Sequence, residues 1–189
     1  MKRIGLYGGS FNPVHFGHLL AAQAAREELD LEQIFFIPAA VSPFKPDHEL
    51  APGSARLQLL RLGLAGRTFC EIDDQELRRG GISYSIDTVR DYAERFPQAK
   101  LFYLIGSDQA PLLLKWREAE ELARRIEIAI IPRRESLSAP APFRSVTLRS
   151  VPFEVSASEI RARTKAGLPI DLLTPRPVAE AIRNNRLYL

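Results

Sequence analysis

Residues 8–18 read GGSFNPVHFGH, and the rest of the chain is organised around this stretch. It follows residues 2–7, which suit a strand, and it precedes residues 19–29, an alanine-rich run of helix-forming residues. A strand, a glycine turn and a helix start in succession form an anion-binding corner, because free backbone N–H groups and the helix dipole attract negative charge there. The stretch therefore predicts a phosphate site in an α/β sheet.

His15 and His18 are two of the three histidines of the chain, and their spacing places both rings on one side of a first helical turn. They could bind phosphate, cap the helix, face solvent or bind a metal. Zinc is disfavoured because it needs three or four ligands, and only His48 and Cys70 remain as further histidine or cysteine ligands. Gly17 between the histidines favours close approach of a ligand to the backbone. We predict no metal site formed by the protein.

This stretch resembles the N-terminal signature of the nucleotidylyltransferase superfamily, in which HxGH follows the first strand. The longer form GSFNPxHxGH is similar to the nicotinate-nucleotide adenylyltransferase branch, whereas the sister pantetheine-phosphate adenylyltransferases usually have Asp-Pro followed later by Thr. The resemblance implies that His15 and His18 are catalytic and bind phosphates, with His18 stabilising the pentacoordinate phosphorus. It also implies an ATP site formed by Gly8, Gly9, Ser10, Phe11 and Gly17.

Length and composition fit one globular domain that spans residues 1–189, with 46% hydrophobic and 26% charged residues. The net charge of +3 is too small to imply nucleic acid and fits small polyanionic ligands. A single cysteine excludes an internal disulfide and suits a reducing compartment. No apolar run approaches the length of a membrane span, so no membrane partner is predicted and the cytoplasm is the default location.

Apolar runs predict strands at 33–38, 68–73, 100–105, 126–131 and 146–151. Helical patterns lie between them: one from a Ser54 cap to 64, the second half of 82–96, a stretch with Trp116 and 119–125, one starting at Ser156 or Ser158, and a last one with Pro177 in its first turn. Alternation of strands and helices predicts a Rossmann-like, doubly wound parallel α/β sheet with helices on both faces. Ligands of such sheets bind beyond the carboxyl ends of the strands.

Lys45 lies in the loop segment Ser42-Pro43-Phe44-Lys45-Pro46. A loop lysine is ordinarily a solvated charge, although the flanking prolines could aim this ammonium group at phosphate. The family has Pro-His-Lys here, so the resemblance implies a catalytic Lys45 with Phe44 in place of the histidine. Arg56 also matches a family arginine, and an exposed ion pair is an equal explanation for it.

Residues 83–88, SYSIDT, resemble the family segment SYTxDT, with Ser85 in place of threonine. The resemblance implies that Tyr84, Ser85 and Thr88 hold the mononucleotide and that Trp116, in LLKW, stacks on the nicotinate ring. Ser85 is also expected to cap the start of the helix, with Asp87 near the dipole, and we expect both roles to hold at once. For Trp116 the structural alternative is a place in the core.

The segment IGSD, residues 105–108, also resembles a family motif, in which Gly106 permits close approach of adenosine and Asp108 bonds ribose. Asp108 could instead cap a helix. Residues 155–161, VSASEIR, are similar to the family's ISSTxIR, with Ala157 in place of a serine. This similarity implies a second anion site from Ser156, Ser158 and a catalytic Arg161. One of Arg133 and Arg134 is expected near the triphosphate, and Arg134 is the residue we assign.

These features predict AMP transfer from ATP to nicotinate mononucleotide, which gives nicotinic acid adenine dinucleotide and pyrophosphate in NAD synthesis. The attacking phosphate is already ionised, so positioning and charge stabilisation suffice for catalysis. Mg²⁺ would be held mainly by the ATP phosphates. One alternative is another HxGH adenylyltransferase, with nicotinamide mononucleotide or phosphopantetheine as acceptor. The other is a nucleotide-binding module without turnover. A homo-oligomer is left open.

Overall fold

The structure, a computed structural model, describes residues 1–44, 50–132, 138–149 and 155–189. Its strands form one six-stranded sheet in the order β3-β2-β1-β4-β5-β6, and every neighbouring pair is parallel. The strands are β1 (Arg3–Gly9), β2 (Gln33–Pro38), β3 (Cys70–Ile72), β4 (Lys100–Gly106), β5 (Ile126–Ile131) and β6 (Ser145–Thr147). Because all strands are parallel, their carboxyl ends lie at one edge of the sheet.

The helices are α1 (Phe16–Leu29), α2 (Gly53–Leu64), α3 (Gln75–Arg79), α4 (Ser85–Arg95), α5 (Ala119–Arg125), α6 (Ala157–Lys165) and α7 (Arg176–Asn184), together with a 3₁₀ helix (Ser107–Lys115). The sequence did not predict α3 or the 3₁₀ helix. The 3₁₀ helix ends at Lys115, and Trp116 is the cap residue that follows it. The prediction that Trp116 lies in a helix was therefore wrong by one residue. No helix in the described parts of the chain is long and apolar enough to cross a membrane.

The helices cover both faces of the sheet, as the doubly wound prediction requires. One core contains Ala22 of α1, Leu59 of α2 and Val178 of α7, and the other contains Val89 of α4 and Leu122 of α5. A strand buried on both faces needs apolar side chains on both, which explains the uninterrupted Ile-Phe-Phe-Ile run of β2. Each fully buried aliphatic or aromatic side chain of this kind contributes about 1.5–3 kcal/mol.

The strand order reverses between β1 and β4. The chain runs outward from β1 to β3, then returns to the centre and runs outward the other way from β4 to β6. The segments that follow β1 and β4 therefore diverge, and a crevice opens between them at the carboxyl ends of the strands.

The observed cap residues test two predictions made from the sequence. Ser156 caps α6 as predicted, and its hydroxyl accepts the backbone N–H of Glu159 at 3.1 Å. Ser54 is not a cap, because α2 begins at Gly53 and Pro52 occupies the cap position. The last strand is shorter than predicted, with Leu148 and Arg149 outside it and residues 150–151 beyond the described chain.

Candidate active site

A cavity of about 620 Å³ lies at the carboxyl ends of β1 and β4, where the strand order reverses. Nine of the residues predicted to form the site line it: Gly8, Gly9, Ser10, His18, Tyr84, Ser85, Gly106, Asp108 and Trp116. Gly8, Gly9 and Ser10, the predicted phosphate-binding residues, come from β1 and the turn that follows it, and together with the residues up to Asn12 they are termed the phosphate loop. Gly106 is the last residue of β4 and Asp108 follows it, whereas Tyr84 and Ser85 lie at the start of α4. One cavity therefore contains both the predicted ATP residues and the predicted mononucleotide residues.

The two histidines form a reciprocal cap at the start of α1. The backbone N–H of His15 donates to Nδ1 of His18 at 3.2 Å, and the two ring centroids are 3.7 Å apart. His15 is buried, whereas His18 lines the cavity. An Nδ1 atom that accepts a hydrogen bond carries no proton, so the ring proton of His18 is at Nε2 and can be donated.

The glycines of the signature make room for side chains of the protein. A Cβ atom on Gly17 would lie 3.0 Å from Nδ1 of His15, so the position is small because the His15 ring packs on it. The sequence had suggested close approach of a ligand there, and Gly17 does not line the cavity. A Cβ atom on Gly8 would lie 2.4 Å from the hydroxyl oxygen of Tyr103, a distance that no real contact tolerates.

Tyr103 connects the phosphate loop to the start of α4. Its hydroxyl lies against Gly8 and is 3.0 Å from Oγ of Ser85, and both Tyr103 and Ser85 line the cavity. Burial raises the pKa of Tyr103 above its usual range, so the hydroxyl stays protonated and available as a donor. Ser85 is the first residue of α4 and makes no side-chain cap, so the prediction that it caps the helix was wrong. In the sequence, Tyr103 is marked only by its place in an apolar strand.

Aromatic rings and two cations lie together at the β4 end of the cavity. Trp116 packs edge-on against Tyr103, with centroids 5.7 Å apart, and the guanidinium of Arg117 lies 4.7 Å from the centroid of the Tyr84 ring. Lys115 and Arg117 line the cavity beside Trp116. Sequence reasoning did not single out these two cations, although both adjoin the tryptophan. A planar ring that carries negative charge suits this surface.

Arg56 is not in an exposed ion pair. It is 2% exposed and donates to three backbone carbonyl oxygens, those of Ser10 at 2.7 Å, Ala39 at 2.8 Å and Ala51 at 3.0 Å. Burial lowers the pKa of its guanidinium. Arg56 therefore joins α2 to the phosphate loop and to the segment after β2, and one planar side chain satisfies three carbonyl groups that are far apart in sequence.

Arg161 approaches the signature from α6. Its Nη1 atom donates to the carbonyl oxygen of Asn12 at 2.8 Å, and its Nη2 atom lies 3.4 Å from Oγ of Ser158. The structure thus brings Arg161 and Ser158 together at the phosphate loop, beside the Ser156 cap. The cavity itself is not lined by Arg161, Ser156 or Ser158.

Besides His15, two further predicted site residues are buried and do not line the cavity. Phe11 is 1% exposed and packs on Tyr7 and Phe36, so its ring belongs to the core. Thr88 is fully buried, and its hydroxyl donates to a carboxyl oxygen of Glu76 at 2.6 Å. Its placement contradicts the expectation that this hydroxyl touches the mononucleotide.

Lys45, Arg133 and Arg134 lie outside the described residues, so their predicted roles stay predictions. Within the described ranges, no group of three or more histidine, cysteine, aspartate or glutamate side chains is placed to hold a metal ion.

Residues 6–163 match the model of the cytidylyltransferase-like family. A protein of Bordetella pertussis named "Probable nicotinate-nucleotide adenylyltransferase" is 39% identical over 198 residues, which cover 100% of this chain and 98% of that protein. A protein of the same name from Rhodopirellula baltica is 37% identical over 201 residues, which cover 98% of this chain and 92% of that protein.

Solved structures show the same fold. The nicotinic acid mononucleotide adenylyltransferase of Plasmodium falciparum, complexed with NaAD, superposes with a TM-score of 0.79 over 100% of this chain and 98% of that chain, at 19% identity. The family model matches most of the chain, and the two relatives are more than 30% identical to it over nearly their full length. The cavity at the strand reversal agrees with this assignment. The chain therefore belongs to the cytidylyltransferase-like family and, within it, to the nicotinate-nucleotide adenylyltransferases.

Proposed function

We propose that this protein transfers the adenylyl group of ATP to the phosphate of nicotinate mononucleotide, giving nicotinic acid adenine dinucleotide and pyrophosphate. The observation that carries the proposal is that one cavity is lined both by His18 and the glycine turn and by Trp116, Tyr84 and Ser85. A cavity of about 620 Å³ is within the range for sites that bind small molecules. The proposed site is part of one nucleotidylyltransferase domain that spans residues 1–189.

The reaction needs positioning more than proton transfer. A phosphate oxygen of the mononucleotide attacks the α-phosphorus of ATP, a new P–O bond forms, and the bond to the β-phosphate oxygen breaks with its electrons leaving on pyrophosphate. The attacking phosphate is already ionised, so no general base is required. His18 would donate its Nε2 proton as a hydrogen bond to the α-phosphate, where negative charge accumulates in the transition state.

The remaining cations would neutralise the triphosphate. We assign Arg161 to this role because it is anchored to the carbonyl of Asn12 in the phosphate loop, and we assign Lys45 and Arg134 to it by resemblance. Asp108, exposed after β4, would accept hydrogen bonds from the ribose hydroxyls of ATP, and Gly106 would leave room for adenosine, since both residues line the cavity. Ser156 and Ser158 would complete the anion site at the start of α6.

Mg²⁺ is the metal we propose, held mainly by ATP. Among the described cavity-lining residues the carboxyl groups are those of Asp108 and Glu76, and Glu76 is committed to hydrogen bonds within the protein. This donor set suits an ion that arrives on the triphosphate. When bound, Mg²⁺ would offset phosphate charge and orient the leaving pyrophosphate.

Lys115 and Arg117 favour the acid over the amide as acceptor. The two mononucleotides differ by a carboxylate charge on the pyridine ring, and the aromatic end of the cavity is lined by these two cations. The N–H groups at the start of α4 add donors and the positive end of a helix dipole.

The test is a comparison of three acceptors with ATP: nicotinate mononucleotide, nicotinamide mononucleotide and phosphopantetheine, with pyrophosphate release as the readout. We expect kcat/KM to be highest for nicotinate mononucleotide. Equal efficiency with the amide, or preference for it, would refute the acid assignment and leave adenylyl transfer intact. ATP binding without pyrophosphate release from any of the three would favour a nucleotide-binding module.

A further inference from the structure

Glu76 is a buried carboxyl group in the wall of the cavity. It lies on the short helix α3, is 3% exposed, and lines the cavity beside Ser83, Tyr84 and Ser85. Within the described residues no lysine or arginine forms an ion pair with it. Burying a carboxyl group without a cation is unfavourable, so its position requires compensating hydrogen bonds.

One hydroxyl group supplies such a bond directly. Thr88 donates to Oε1 of Glu76 at 2.6 Å. Burial raises the pKa of the Glu76 carboxyl group, whereas the hydroxyls of Thr88 and Ser83 and the charge of Arg79 act to lower it. The carboxyl group is thus held by a residue of α4 rather than left to a ligand.

Thr88 and Ser83 flank the predicted mononucleotide residues. Ser83 precedes Tyr84 and Ser85, and Thr88 follows them in the first turn of α4. Ser83 is bonded to the segment after β2, because its Oγ accepts the N–H of Ala40 at 2.9 Å and its own N–H donates to the carbonyl of Val41 at 2.9 Å. Tyr84 and Ser85 are therefore held on one side by the segment after β2 and on the other by the bond from Thr88 to Glu76 on α3.

We propose that Glu76 is a positioning residue for the acceptor: by holding the hydroxyl of Thr88 in the first turn of α4, it fixes Tyr84 and Ser85 where the mononucleotide binds. The assignment of the acceptor rests on the proposed function above. Glu76 itself need not touch the mononucleotide, and Thr88 acts through Glu76 rather than by direct contact.

The variant Glu76→Gln tests this role. A glutamine keeps the size of the side chain but replaces the carboxylate with a neutral amide, a weaker acceptor for the Thr88 hydroxyl. We expect KM for nicotinate mononucleotide to rise about tenfold while KM for ATP stays within about twofold, because Glu76 is bonded to α4 and not to the phosphate loop. The matched control is Glu71→Gln on β3, a glutamate bonded to Gln33 outside the cavity, which should change neither KM.

A direct binding measurement separates this inference from the proposed function. Trp116 is the only tryptophan and lines the cavity, so its fluorescence reports titration with nicotinate mononucleotide. No binding or turnover of this nucleotide by the unmodified protein would overturn the proposed function. Binding by the unmodified protein that is unchanged in Glu76→Gln would overturn the positioning role alone.

A general structural role would have a different signature. If Glu76→Gln lowers the melting temperature and leaves both KM values unchanged, or raises both alike, Glu76 does not act on the acceptor. Should Glu76→Gln fail to fold, the pair Thr88→Val and Thr88→Ser decides, since only the serine keeps the donor hydroxyl. A rise in acceptor KM for the valine and its rescue by the serine would support the role, and equal values for both variants would refute it.

Discussion

Replacing His18 with alanine should separate the two functions that the structure gives this side chain. His18 accepts the backbone N–H of His15 at 3.2 Å and so caps α1, and it also lines the cavity. Loss of a helix cap costs about 1 kcal/mol of unfolding free energy, which lowers the melting temperature of a chain of this size by about 2–4 °C. His18→Ala should therefore fold.

The effect on turnover should be much larger than the effect on stability. Removal of one donor that stabilises transition-state charge typically lowers kcat by about 10²–10³-fold. The assay is pyrophosphate release with saturating ATP and nicotinate mononucleotide, measured beside a thermal unfolding curve of the same protein. KM for either substrate should change much less than kcat, because the stabilisation is made mainly in the transition state.

Asn185→Ala is the matched control. Asn185 Nδ2 donates to the carbonyl of Ala181 at 2.8 Å at the end of α7, so its loss also removes a helix-end hydrogen bond, but far from the cavity lining. It should lower the melting temperature by a similar amount and leave kcat unchanged. If His18→Ala keeps near-normal kcat, or if its loss of kcat merely equals that of the control, charge stabilisation by His18 is wrong.

Two further substitutions test the arginines around the phosphate loop. Arg56→Lys should lower the free energy of unfolding by about 2–4 kcal/mol, because an ammonium group cannot reach all three carbonyl oxygens that the planar guanidinium satisfies. Denaturant unfolding measures this loss. A loss below about 0.5 kcal/mol would contradict the role of Arg56. Arg161→Ala should raise KM for ATP about tenfold and leave KM for the acceptor unchanged. Added salt should also raise KM for ATP in the unmodified protein, because it screens the same charge interaction. Unchanged ATP affinity in Arg161→Ala would restrict Arg161 to holding the carbonyl of Asn12.

The sequence predicted the sheet because strands depend on local patterns. Continuous apolar runs identified β2, β4 and β5 within a residue of their observed bounds. Four residues of GGSFNPVHFGH line the cavity, namely Gly8, Gly9, Ser10 and His18, and their role in binding phosphate stays a prediction. The strand order follows from chain contacts that no local pattern reports. The role of Arg56 was missed for the same reason, since two of its three acceptors, the carbonyls of Ser10 and Ala39, lie in segments that only the fold brings to it.

Thr88 and Glu76 show why a motif alone cannot assign contacts. The SYSIDT segment marks the start of α4 correctly, yet its residues divide into Tyr84 and Ser85, which line the cavity, and Thr88, which is buried behind them. The partner of Thr88 lies on a helix of five residues, too short to produce a periodic apolar pattern, and glutamate is ordinarily exposed. The position of Thr88 within the motif therefore predicts only that it belongs to the site. Because its hydroxyl already donates to Glu76, Thr88 can position the residues that contact the ligand but does not offer that proton to the ligand itself.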